Sequence, residues 1–264
     1  AKRANVRVTE ADVPFPLDDA QEIVDAIEAS ITAKTRLLVI DQITSPTALI
    51  FPIKPIINLA HSRGIPILVD GAHSPGQIDV DIGSLGADFW VGNLHKWLCA
   101  PKGCAALYVA PQWRDTIHPP VTSHGYGSGF VAQFDWTGTN DPTAWFCAPH
   151  VIELHRKMGG ASLRKAHHEL VRFGRRVIAD ALDVDLPHPD LPQFYGSMAT
   201  IPLPCPAARV PTLFKEIRNE DQIEVPIIVW DQRAWTRISG FAAYNTQDQY
   251  VQLAEALRRR LIDV

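Results

Sequence analysis

The chain has 264 residues, a formal net charge of −4 and 46% hydrophobic residues. That balance is ordinary for a globular protein of one or two domains. It lacks the basic excess of a nucleic-acid footprint, and no apolar run reaches the ~20 residues of a membrane span.

In chain order, residues 18–31 carry Ile23, Val24, Ile27 and Ile31 at helical spacing, with Asp18 as the expected cap. Residues 36–41 read as a buried strand, 44–47 as a loop and 55–63 as a short helix closed by Gly64. Further buried strands are expected at 65–70, 88–92 and 104–109. The last follows a tight turn at 101–103, so it is free to run antiparallel. Apolar strands alternating with helices imply a mostly parallel sheet covered on both faces. From about residue 142 the texture changes. Helices are expected at 143–158 and 163–182, then a strand at 197–203 and a helix at 211–218. Strands near 225–230 and 235–238 and a final helix at 247–261 complete the chain. The expected organisation is an α/β domain over 1–141 and a smaller α+β domain over 142–264.

Cys99, Cys104, Cys147 and Cys205 form no CxxC pair and read as reduced core residues, which points to a cytosolic protein. No metal site is expected.

Asp70 ends an apolar strand, His73 follows in the loop, and Lys96 lies just past the next strand. In open α/β sheets, ligands bind beyond the carboxyl ends of strands. A carboxylate and an amine delivered there suit pyridoxal phosphate (PLP). That cofactor needs an anion facing its ring nitrogen, a lysine for the imine, and polar donors for its phosphate. Asn93 and His95 are candidate phosphate donors. Taken singly, each has a plainer reading: a turn aspartate, a solvated lysine, a satisfied polar histidine.

The combined string is more specific. Val69-Asp-Gly-Ala-His-Ser-Pro-Gly76, Leu85-Gly-Ala-Asp-Phe89, Gly92-Asn-Leu-His-Lys-Trp97 and Ala100-Pro-Lys-Gly103 resemble the cofactor-binding core of class V aminotransferases. That family also holds cysteine desulfurases, kynureninase-like enzymes and isopenicillin N epimerase. The Asn-Leu-His-Lys-Trp-Leu form is most similar to the epimerase branch.

The resemblance implies a fold-type I PLP-transferase architecture and a homodimer with shared active sites. The implied substrate is a small amino-acid-type molecule worked on at its α-carbon, with epimerization as the leading expectation and C–S elimination or transamination as the alternatives. It assigns Lys96 as the Schiff-base lysine, Asp70 to the pyridine nitrogen, and His73 to the ring hydroxyl contact. Asn93 and His95 match phosphate contacts. Ser45 stands where desulfurases carry an asparagine near the cofactor. Thr139, in Trp136-Thr-Gly-Thr-Asn-Asp141, matches a loop that reaches the neighbouring subunit's phosphate. Arg237, in Trp235-Thr-Arg-Ile-Ser239, matches the arginine that grips the substrate carboxylate.

Two departures bear on this. Residues 219–233 hold no cysteine, whereas desulfurases carry a mobile nucleophilic cysteine there. The family's upstream phosphate-cradling loop has no match, and the chain opens at Ala1 without an initiator methionine. A chain lacking the first half of the large domain is therefore expected, with a non-catalytic truncated relative as the alternative.

Overall fold

The computed structural model describes residues 6–263. The described residues divide into two compact units, one of residues 34–42 and 53–158, the other of residues 6–33, 43–52 and 159–263.

The first unit holds a four-stranded sheet. Strands β1 (Leu38–Asp41), β2 (Ile67–Asp70) and β3 (Phe89–Asn93) run parallel, and β4 (Ala105–Val109) pairs antiparallel with β3, in the order β1-β2-β3-β4. The crossover from β1 to β2 carries helix α2 (Ile53–Ser62), whose Ile53, Ile56, Ile57 and Ala60 are buried at helical spacing. A one-turn helix, α3 (Ile82–Leu85), joins β2 to β3, capped by the Asp81 side chain accepting from Ser84 N. One face of β2 and β3 is core. Ile67, Val69 and Trp90 are fully buried there. A Cβ at Gly92 would meet the Trp90 indole at 2.1 Å, so only glycine leaves room for that ring. Helices α4 (Phe130–Asp135), α5 (Thr143–Phe146) and α6 (Ala148–Lys157) complete the unit.

The second unit packs α1 (Gln21–Ser30), α7 (Ala161–Leu182), α8 (Val210–Asn219) and α9 (Gln247–Leu261) with an antiparallel sheet. Its strands are β5 (Met198–Pro206), β6 (Ile227–Trp230) and β7 (Arg233–Ser239), in the order β5-β7-β6. Helix α7 buries Leu163, Val171, Ile178 and Leu182 along one stripe. Helix α9 opens on a capping box formed by Thr246 and Gln249. Arg175 is fully buried, donates to the His188 carbonyl and lies 4.7 Å from the Tyr195 ring centroid. Burial first, then the Arg175 charge, hold His188 down to about pH 4, so it sits there neutral.

Three expectations are revised. The units interleave: α1 belongs with the C-terminal elements, not with the parallel sheet that follows it in sequence. Asp18 does not cap α1. The cap position is Ala20, Asp19 accepts from Gln21 N at 2.9 Å, and Glu22 accepts from the backbone of Asp18 and Asp19. The expected helix over 143–158 is two helices, the second opening on Pro149, which fits a helix start because it has no N–H to leave unpaired. Among the described residues, no helix is long and apolar enough to cross a membrane, and no group of His, Cys, Asp and Glu could hold a metal. All four cysteines are free.

Candidate active site

The chemistry-bearing residues of the first unit gather at the carboxyl ends of its parallel strands. Asp70 ends β2, and its Oδ1 accepts from Ala72 N at 2.8 Å, which opens the loop that follows. That loop is tied by Ser74 N to Gly71 O at 2.9 Å and by Gln77 Nε2 to His73 O at 2.9 Å. From α6, His155 Nε2 reaches Gly76 O at 3.3 Å. Gly76 has φ +84°, and a Cβ there would meet the Trp97 carbonyl carbon at 2.8 Å. Glycine thus lets the 71–77 loop approach the turn that carries Lys96.

That turn leaves β3 at Asn93. It is held by Leu94 N to Cys104 O at 3.0 Å, Ala100 N to Leu94 O at 3.0 Å and Cys99 N to Lys96 O at 3.2 Å. Within this frame, Lys96 Nζ lies 3.2 Å from His73 Nε2. Which nitrogen donates in that hydrogen bond depends on the His73 tautomer. Both side chains are half-buried, as is Asp70.

His95 Nδ1 donates to the Cys104 carbonyl at 3.1 Å. That bond fixes the proton on Nδ1, so Nε2 of a neutral His95 is an acceptor and donates only when the ring is charged. Asn93 is half-buried at the end of β3, paired in register with Ala105. Thr139 is exposed in the loop between α4 and α5. The structure therefore brings Asp70, His73, Asn93, His95 and Lys96 to one end of one sheet.

Sequence reasoning passed over Asp41. It ends β1 as Asp70 ends β2, and the two are register partners in the parallel pair. Although Asp41 is exposed, desolvation by its neighbours and then the Asp70 carboxylate raise its pKa, while Lys96 opposes the shift. The signal was present in the sequence: the apolar runs Leu-Val-Ile and Ile-Leu-Val each end on an aspartate.

Ser45 and Arg237 lie in the second unit and meet there. Arg237, half-buried on β7, donates through Nη1 to the Ser45 carbonyl and to Ser45 Oγ at 3.1 Å. Burial lowers its pKa, and its buried Nε has no hydrogen-bond partner among the described residues. Cys205 lies in strand β5, and burial raises its thiol pKa. A strand-held, protonated thiol is not the mobile thiolate a desulfurase requires.

The aminotransferase class-V family profile matches residues 1–253. The chain is 31% identical over 273 residues to an isopenicillin N epimerase of Streptomyces clavuligerus, covering 97% of this chain and 68% of that one. It is 29% identical over 292 residues to an L-cysteine desulfhydrase of Arabidopsis thaliana, covering 99% of this chain and 63% of that one. The chain thus spans roughly 58–63% of the length of the plant relatives it matches. Among solved structures it is similar to a lysine mutant of C-DES with glycine covalently linked to the PLP cofactor. The TM-score there is 0.75 at 19% identity, with 92% of this chain and 64% of that one covered. The apo cysteine desulfurase of Thermococcus onnurineus NA1 gives a TM-score of 0.72 at 19% identity, over 91% of this chain and 63% of that one. The fold is the α/β architecture of fold-type I enzymes, present in part, and the chain belongs to the aminotransferase class-V family.

Proposed function

We propose that the protein is a PLP-dependent enzyme that removes the α-proton of an amino acid and cleaves a cysteine-type C–S bond. The observation that carries this reading is the Lys96–His73 pair at 3.2 Å, beside Asp70 at the carboxyl ends of parallel strands. The donor set suits the cofactor: an amine for its aldehyde carbon, a carboxylate for its ring nitrogen, and polar groups at Asn93 and His95 for its phosphate. When bound, PLP supplies an electron sink for the pair left at the substrate α-carbon.

In this reading, Lys96 Nζ would hold the cofactor and, as a free amine, would take the α-proton. His73 Nε2 is placed to receive that proton from Nζ and return it. Asp70 would be the carboxylate for the ring nitrogen, favouring its protonated form. His95 would present Nε2 to the phosphate while Nδ1 stays on the Cys104 carbonyl. Ser45 contributes through its place beside Arg237. C–S cleavage is favoured over other outcomes by the desulfhydrase name of a relative covering 99% of the chain. Epimerization is the second reading, favoured by the Asn-Leu-His-Lys-Trp-Leu motif and by the Streptomyces relative.

Incubation with PLP and L-cysteine in heavy water separates the readings. Sulfide and pyruvate are expected. An inverted, α-deuterated amino acid without sulfide selects epimerization, and the absence of both sulfide and α-deuterated amino acid overturns both.

Arg237 is the proposed carboxylate-binding residue, its planar guanidinium suited to two parallel hydrogen bonds. Losing one partner of such a pair costs about 2–5 kcal/mol, roughly 30-fold or more in affinity. Arg237→Ala should therefore raise the apparent substrate dissociation constant by that factor while leaving PLP loading intact. Arg237→Lys should be nearly as poor. Wild-type affinity in either variant, read from the substrate-induced absorbance change, would make Arg237 structural.

The proposed assembly is a homodimer in which Thr139 reaches the partner's phosphate. Support comes from exposed apolar side chains around that loop, namely Val131, Trp136, Trp145 and Phe146. A monomer at micromolar concentration in sedimentation would exclude it. The cytosolic placement rests on the four free thiols.

A further inference from the structure

We propose that Asp41 is a positioning residue of the Lys96 site, its carboxylate adding negative potential that keeps the Lys96 amine protonated to higher pH. The proposal deepens the reading above, but its test needs no cofactor.

The geometry comes first. Strands β1 and β2 are parallel and in register, with Leu38 opposite Ile67 through to Asp41 opposite Asp70. Register partners in neighbouring strands point their side chains to the same face. Asp41 and Asp70 thus stand side by side, one strand spacing of about 4.8 Å apart. The next partner in the row is Val91 on β3, the strand that delivers the Lys96 turn.

The electrostatics agree in sign. The Lys96 charge lowers the Asp41 pKa, whereas desolvation and Asp70 raise it. Coupling between two titrating groups is reciprocal. Whatever Lys96 does to favour the Asp41 carboxylate, that carboxylate does equally to favour the Lys96 ammonium. Of the other titratable groups at this end of the sheet, His73 touches Lys96 Nζ, Asp70 ends β2, and His95 lies on the Lys96 turn. Asp70 acts in the same direction as Asp41, and a protonated His73 or His95 acts against both. Two carboxylates at one sheet end exceed what a single ring nitrogen calls for, and Asp41 is the one left to act on the lysine.

The consequence concerns the working pH. A lysine that must first attack as a free amine and later serve as a base needs its protonation set near the operating pH. Because Asp41 is exposed, its influence is screened by solvent and salt. An effect of about half a pH unit is expected at low ionic strength, about threefold in the fraction of free amine at fixed pH.

The test is competitive acylation of the chain with acetic anhydride across pH, with the Lys96 and Lys102 peptides quantified by mass spectrometry. In Asp41→Asn, the Lys96 midpoint should fall by about half a unit relative to wild type, and the shift should shrink at about 1 M salt. Asp41→Glu should restore it, and the Lys102 midpoint should stay fixed in every variant. A Lys96 profile in Asp41→Asn that superimposes on wild type would overturn the proposal. So would an equal shift at Lys102, which would mark a general change in structure. Failure of the chain to bind PLP would sink the proposed function and leave this result standing.

Discussion

Replacing Asp88 by alanine is expected to cost about 3–5 kcal/mol of stability. Asp88 is buried just ahead of β3, and one carboxylate there serves three separate segments. Its Oδ2 accepts from Ile67 N and from His61 Nε2, both at 2.9 Å. Its Oδ1 accepts from Trp113 Nε1 at 2.7 Å and Gln112 Nε2 at 3.3 Å. Burial alone would raise its pKa, but the bonds from His61, Trp113 and Ile67 bring it below the usual carboxylate value. Truncation leaves the Ile67 and Trp113 N–H groups without an acceptor, at about 1–3 kcal/mol each. A carboxylate whose folded pKa is depressed stabilises above its unfolded pKa, and that contribution fades as pH falls through the folded value. The Asp88→Ala penalty should therefore be largest near neutral pH and smaller below about pH 4. Urea unfolding followed by tryptophan fluorescence checks it. A loss under about 1 kcal/mol at pH 7 would show that the hub is dispensable.

Lys96→Ala is expected to abolish covalent cofactor attachment and to reduce turnover by at least about 10²–10⁴-fold, the range for a positioned general acid–base group. The protein should remain folded. The Lys96 turn is held by backbone bonds among Leu94, Lys96, Cys99, Ala100 and Cys104, none of which needs the amine. The side chain is only half-buried, so its removal opens no core cavity. Turnover from sulfide release and the thermal midpoint, measured on one preparation, separate the two effects. Activity within about tenfold of wild type would remove Lys96 from the mechanism.

Much of the sheet unit was legible because its signals are local. Apolar runs at 36–41, 65–70, 88–92 and 104–109 each gave a strand, and the tight turn before β4 produced the antiparallel pairing the sequence had left open. What periodicity cannot give is the partner of a buried face. Ile23, Val24 and Ile27 are buried as the spacing predicts, but nothing in that spacing says that α1 joins elements more than 130 residues away. The break between α5 and α6 was readable from Pro149 and was passed over in favour of the continuous apolar pattern.

The candidate site divides in the same way. Asp70, His73 and Lys96 were identified by motif, and the fold brings His73 and Lys96 into contact. The bond from Arg237 to Ser45 joins positions 192 apart, beyond any local pattern. The tautomer of His95 depends on Cys104, nine residues on, through a carbonyl that only the turn geometry aims at it.

The most direct test of the central claim is borohydride reduction of the chain with PLP, followed by peptide mapping. The account predicts one reduced pyridoxyl adduct, on the peptide carrying Lys96, and none in Lys96→Ala. An adduct on Lys102 or Lys165 instead, or an unlabelled Lys96 after saturation with PLP, would contradict it.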